Sequence, residues 1–185
     1  KSTQCKLLKE SFDKSNIAAI QTREPGGTKG AEAIRELLVT GNIDKWDATT
    51  ETLLHLAARQ DHIRNLIKPS LESGKYIICD RFMDSTMAYQ GFAHGLGEQK
   101  INSLQNLILE NFKPDLTFIL DMPTEDSLNR TNKRDGNEDR YERMDISFHE
   151  KVREGFINIA KNEAVAGISS MVEGSPESKL GILNL

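Results

Sequence analysis

Three short apolar runs limit what this chain can fold into. They are Ile17–Gln21, Tyr76–Cys79 and Leu116–Leu120. Each is only four or five residues long, and none alternates strictly with polar residues. Runs of this kind suit strands of a parallel sheet covered on both faces, because each side of such a strand is buried. Parallel neighbours need long crossovers, and the stretches between the runs have helical period.

The periodicity predicts helices over Gln4–Phe12, Ala31–Val39, Thr50–Ile67, Glu98–Phe112, 124–131 and Phe148–Lys161, with Thr49 as a candidate cap for the third. The apolar stripe of that helix is Leu53, Leu56, Ala57, Ile63 and Ile67. The expected fold class is α/β, a three-layer domain around a parallel central sheet. With 185 residues and no Gly/Ser-rich linker, residues 1–185 read as a single domain. Residues 162–185 show no clear final strand or helix, since Gly174, Ser175 and Pro176 interrupt a weakly apolar stretch.

Composition removes several function classes. Lys plus Arg is 24 and Asp plus Glu is 28, a net charge of −4, which argues against a general nucleic-acid binder. No apolar run approaches the ~20 residues of a membrane span. The two cysteines, Cys5 and Cys79, match no metal or redox spacing, so a reducing cytoplasm is the expected compartment.

The charged residues that follow the apolar runs carry the chemistry. In open α/β sheets, ligands bind at the C-terminal ends of the strands. Arg23-Glu24-Pro25-Gly26-Gly27 follows the first run, and an arginine there can grip a phosphate bidentately. The other reading is a Pro-Gly turn with a solvated ion pair. Asp80-Arg81 follows the second run: the carboxylate can hold magnesium or its water, and the arginine can meet phosphate. Ser85, Thr86 and Gln90 lie just beyond, and a glutamine amide can read a base edge. At the start, Lys1-Ser2-Thr3 has the form of the last positions of a phosphate-binding G-x-x-x-x-G-K-[ST] loop. There the lysine would reach the β- and γ-phosphates and Ser2 would hold magnesium. The first strand and the glycine-rich loop of that motif would precede Lys1 and are not in this sequence.

His55, Arg59 and His62 share one helix face, roughly opposite Leu53. Zinc would need a third ligand that the spacing does not supply; a groove lining or a solvated face remains. Residues 130–143 mix Arg130, Lys133, Arg134, Arg140 and Arg143 with four carboxylates around Gly136. Such a segment can close over phosphates as a lid, or be a solvated loop. Within it Asn132–Asp135 spells NKxD, a guanine-reading pattern, but after a helix rather than a strand, so it reads as accidental.

Taken together, KST, TREPGGT, LLHLAARQDH, ICDRFMDSTMAYQG, FKPDLTFILDMP and RTNKRDGNEDRYE resemble the bacterial thymidylate kinase family over about residues 1–160. The resemblance implies a P-loop kinase fold with a lid over 130–143, and transfer of the γ-phosphoryl of ATP to dTMP with Mg2+. It also implies a cytoplasmic homodimer with neither nucleic acid nor membrane as partner. It gives Lys1, Asp80, Arg134 and Arg140 catalytic roles, and Ser2 and Asp80 the metal. Lys1, Ser2, Thr3 and Arg130 would contact ATP. Arg23, Pro25, His55, Arg59, Arg81, Ser85, Thr86 and Gln90 would hold dTMP, with Pro25 shaping its loop, often through a cis bond. His55 stands where the family usually carries a phenylalanine stacked on thymine. The other readings are a kinase for a different nucleoside monophosphate and a non-catalytic nucleotide-binding protein.

Overall fold

The computed structural model describes residues 1–110, 112–131, 139–167 and 180–184. In chain order the elements are α1 (Ser2–Lys14), β1 (Ala19–Arg23), α2 (Lys29–Val39), α3 (Ala48–His62), α4 (Lys68–Glu72), β2 (Tyr76–Asp80), α5 (Met83–Thr86), α6 (Glu98–Leu109), β3 (Leu116–Ile119), α7 (Thr124–Thr131), α8 (Ile146–Gly167) and β4 (Leu180–Asn184). Wider π-type turns over Ile63–Ile67 and Met87–Ala93 continue α3 and α5.

The four strands form one parallel sheet in the order β1-β2-β4-β3. Helices cover both faces. Ile77 and Cys79 of β2 pack with Ile63, Ile67, Phe82 and Leu109 on one side. Ile78, between them in sequence, turns to the other side and meets Cys5 of α1. That alternation follows from the pleat, where successive side chains leave opposite faces. A third cluster joins Phe148, Val152 and Phe156 of α8 to Ala88. Gly155 makes that approach possible: a Cβ there would lie 3.1 Å from the Ala88 Cα.

Three expectations need correction. The first strand is Ala19–Arg23 rather than 17–21. The cap of α3 is Asp47, whose Oδ1 accepts from the N–H groups of Thr49 (2.8 Å) and Thr50 (3.1 Å). The carboxylate two residues ahead of Thr49 reaches the free N–H groups of the first turn and outcompetes a hydroxyl. The tail does contribute a strand: β4 pairs with β2 and β3 on its two sides, and α8 runs on to Gly167.

The C-terminal ends of β1 and β2 are level, with Arg23 opposite Asp80. The Glu24 N–H donates to the Asp80 carbonyl at 2.9 Å, so the chain leaves both strands together. Arg81 then turns with φ of 70°, a left-handed conformation that is unusual for a non-glycine residue and that concentrates at functional sites.

Candidate active site

Two cavities open at this strand edge, of about 190 and 390 Å3. Arg81, Tyr89, Ser127, Glu142 and His149 line both.

The floor of the smaller cavity is a network of buried charge. Glu24 is 5% exposed and Arg59 2%. Arg59 Nε donates to Glu24 Oε2 at 2.8 Å and Arg59 Nη2 to Thr86 Oγ1 at 3.1 Å. His62 Nδ1 meets the other Glu24 oxygen at 3.0 Å, and its Nε2 meets Thr22 Oγ1 at 2.8 Å. The loop can come this close to His62 because residue 27 is glycine: a Cβ there would lie 2.6 Å from His62 Nε2. Arg59 Nη1 is buried with no hydrogen-bond partner. A buried N–H of a charged group is costly to leave unpaired, so this atom marks where an anion would be bound.

More cationic groups surround it. Arg35 of α2 lines the cavity and its Nη1 donates to the Pro25 carbonyl at 2.9 Å. The Glu24–Pro25 bond is cis. Arg81 donates from Nη2 to Tyr89 Oη at 3.0 Å, and its guanidinium carbon lies 4.9 Å from the Tyr89 ring centre. Ser85, Thr86 and Gln90 also line the cavity. His55 lines it too, with its Nε2 3.0 Å from Tyr141 Oη and the two rings tilted by 42°. Burial lowers the His55 pKa to about 4, with Glu51 opposing and Arg59 reinforcing, so the ring is neutral near pH 7.

Lys1, Ser2 and Thr3 line the larger cavity at the start of α1. Ser2 Oγ donates to Asp80 Oδ2 at 2.8 Å, and Lys1 Nζ lies 3.5 Å from Asp80 Oδ1. Burial, helped by the nearby Arg81, lowers the Lys1 pKa to about 7. Asp80 Oδ1 accepts no hydrogen bond although it is buried. A carboxylate oxygen that has an ion-pair partner but no hydrogen bond, beside a hydroxyl, suits a hard cation such as magnesium, which keeps most of its waters and takes one or two protein oxygens. Among the described residues no group of three His, Cys, Asp or Glu could form a larger cage.

Two expected site residues stand elsewhere. Arg23 is about half exposed and pairs with Glu32 at 3.1 Å, outside both cavities. Strand alternation sends Arg23 away from the cavity that Glu24, one residue on, helps to line. Arg140 is fully buried and lines neither cavity. Its Nη1 meets Glu51 Oε2 at 2.5 Å, and its nitrogens also donate to the carbonyls of Leu38, Asn42 and Ile43. Those bonds hold it as an anchor between α3 and the loop after α2, because that loop presents its carbonyls inward. Arg134 and the NKxD tetrapeptide lie outside the described residues; Arg130 falls in α7, and its side chain is not described.

Several functional candidates have weak signals in the sequence. Arg35 sits mid-helix among ordinary surface charges. Glu24 reads as half of a solvated pair. His149 Nε2 is buried without a partner between the cavities, yet the residue reads as part of α8.

A parallel α/β sheet, a cation-lined cavity at its C-terminal edge and a lysine–serine–aspartate cluster beside it define a nucleotide-binding phosphotransferase. The chain belongs to the thymidylate kinase family, whose family model matches residues 1–173. A thymidylate kinase of Rhizorhabdus wittichii is 43% identical over 96% of this chain and 86% of its own length. One from Caulobacter vibrioides is 46% identical over 88% of this chain and 78% of its own. The crystal structure of thymidylate kinase from Ehrlichia chaffeensis superposes with a TM-score of 0.69 at 32% identity, covering 99% of this chain and 79% of that one. Among the described residues no helix is long and apolar enough to cross a membrane.

Proposed function

We propose that this chain phosphorylates dTMP with ATP and does so in the two cavities at the β1–β2 edge. The observation that carries the assignment is the buried, unpartnered Nη1 of Arg59 in the smaller cavity. Arg59, Arg35 and Arg81 bind the dTMP phosphate there. Thr86 and Glu24 hold the Arg59 fork in place, and Pro25 shapes the loop that carries Glu24. Ser85 steadies the Arg81 side of the cavity. Gln90 reads the thymine edge, and His55, neutral and beside Tyr141, lies against the ring.

Lys1, Ser2 and Thr3 bind the phosphates of ATP in the larger cavity. Arg81 lines both cavities, so it is the protein cation best placed between the two phosphates. Arg130 and Arg134 supply lid cations on the donor side, as the charge of the 130–143 segment suggests. Ser2 and Asp80 hold magnesium, which when bound neutralises charge on the phosphate oxygens. The acceptor oxygen is already anionic near neutral pH, so no strong base is needed. Positioning and charge neutralisation carry the transfer.

The protein acts as a homodimer. Leu53 on α3 and Leu107 on α6 are 51% and 77% exposed, large apolar side chains of the kind a second copy would cover. Sedimentation at micromolar concentration reads twice the chain mass; a monomer overturns this. The free, buried thiols of Cys5 and Cys79 suit a reducing cytoplasm.

Steady-state assay with ATP and each of dTMP, dUMP, dCMP and AMP tests the activity. Highest kcat/KM on dTMP is expected. Preference for AMP, or no acceptor-dependent ADP release, overturns the assignment.

A further inference from the structure

Glu51, in the first turn of α3, is fully buried and lines neither cavity. Its Oε1 accepts from Gln90 Nε2 at 2.7 Å and its Oε2 from Arg140 Nη1 at 2.5 Å. His94 Nε2 stands 3.3 Å from the same Oε1. Burial alone would raise the Glu51 pKa, but the approach of His94 and the hydrogen bonds from Arg140 and Gln90 outweigh it and hold it at about 2. Glu51 is therefore a carboxylate at any working pH and can only accept hydrogen bonds.

A primary amide has a donor end and an acceptor end. The donor end of Gln90 faces Glu51, and Gln90 itself is 1% exposed and lines the smaller cavity. Its oxygen is the end left for a ligand. Thymine in a nucleotide has one N–H, at N3, so a fixed acceptor can be satisfied by thymine only there. Cytosine in the same pose opposes a bare N3 lone pair to the amide oxygen. A glutamine free to turn its amide over would serve both bases.

We propose that Glu51, held in place by Arg140, is a positioning residue that fixes the Gln90 amide with its oxygen toward the base, and so selects pyrimidines carrying N3–H over cytosine. The inference rests on the reading of the smaller cavity as the dTMP site. The lid-side anchor, the α2–α3 loop and base choice are thereby joined through one carboxylate.

The test compares kcat/KM for dTMP and dCMP, together with the affinity for N3-methyl-dTMP, on the full chain. Wild type should bind N3-methyl-dTMP far more weakly than dTMP; equal binding would show that Gln90 does not read N3, and the reading of the cavity would fail before Glu51 is at issue. In Glu51→Gln the partner amide can pair with either end of Gln90, so the dTMP-over-dCMP ratio should fall by about tenfold or more. Glu51→Asp keeps the charge opposite Arg140 but withdraws the oxygen by one methylene, and should narrow the ratio likewise if Glu51→Gln does not fold. The exchange E51Q/Q90E places at position 90 a group that can only accept, so the preference for dTMP should return. Equal losses on both substrates in the single variants, or no recovery in the exchange, would overturn the proposal.

Discussion

Arg140 uses all three of its guanidinium nitrogens inside the protein. Its partner Glu51 is as deeply buried as it is. A buried ion pair need not stabilise relative to an apolar pair, but removing one member leaves the other charged and unpaired. Arg140→Ala should therefore destabilise the protein by about 3–5 kcal/mol. Urea unfolding at neutral pH measures this. A variant with unchanged stability and a lower kcat would instead give Arg140 the phosphoryl contact that the sequence first suggests. Arg59 is nearly as deeply buried as Arg140 but keeps Nη1 without a hydrogen bond, the difference expected between an arginine placed to meet an anion and one that holds the fold. Residue identity alone does not reveal it, because both arginines occur in charged surroundings in the sequence.

At the scale of elements, α3 gathers Glu51, His55, Arg59 and His62 on one side. Glu51, Arg59 and His62 are buried, whereas Leu53 and Ala57 of the expected apolar stripe are exposed. The polar face turns inward because Glu24, Thr22, Gln90 and Arg140 meet it with matching donors and acceptors. Leu56, Ile63 and Ile67 of the expected stripe are buried, so hydrophobic period finds part of the inner face and misses the polar residues that share it. The shared spacing of His55, Arg59 and His62 was legible; the direction in which they point depends on partners distant in sequence. Asp47 caps this helix in the open, with its pKa lowered by hydrogen bonds from the Thr50 side chain and backbone N–H. Loss of such a cap costs about 1 kcal/mol, so Asp47→Ala should lower Tm by about 2–4 °C. The dTMP KM should barely move, because the site residues of α3 are locked by their own tertiary bonds. Differential scanning calorimetry with a parallel KM measurement checks both; a large rise in KM at unchanged Tm would mean that the cap aligns the site rather than supporting the helix.

Across the whole molecule, the runs at 76–79 and 116–120 match β2 and β3 to within a residue: β2 lies between β1 and β4 and is mostly buried, and β3, although at an edge of the sheet, packs Phe118 and Ile119 into two different apolar clusters. The first run slips by two residues because β1, unlike the other edge strand β3, continues through the polar residues Gln21, Thr22 and Arg23, of which Gln21 and Arg23 meet solvent. β4 has a weaker signal, three apolar residues around Gly181, and owes its place to pairing on both sides. The fold that these strands close also sets how the protein responds to acid. His55 has its pKa lowered to about 4 by burial, and Glu51 is held at about 2 against the burial that would raise it. Glu32, Asp121, Asp145 and His149 are also lowered. Each of these groups takes up a proton more readily in the unfolded chain than in the native state. Stability from His55 is thus fully present above about pH 6.5 and is lost as pH falls toward 4. That from Glu51 is present above its unfolded value near 4.5 and is lost as pH falls toward 2. Because the signs agree, unfolding free energy should decline continuously from pH 7 to pH 4 in urea titrations, with the carboxylates adding their losses further down. His55→Phe removes one titrating group from the upper part of that range, so its decline between pH 6.5 and 4 should be shallower than that of wild type. Parallel slopes for the two proteins would mean that the His55 ring takes up its proton as easily in the folded state as in the unfolded one, and that the cavity beside Tyr141 is wetter than its geometry indicates.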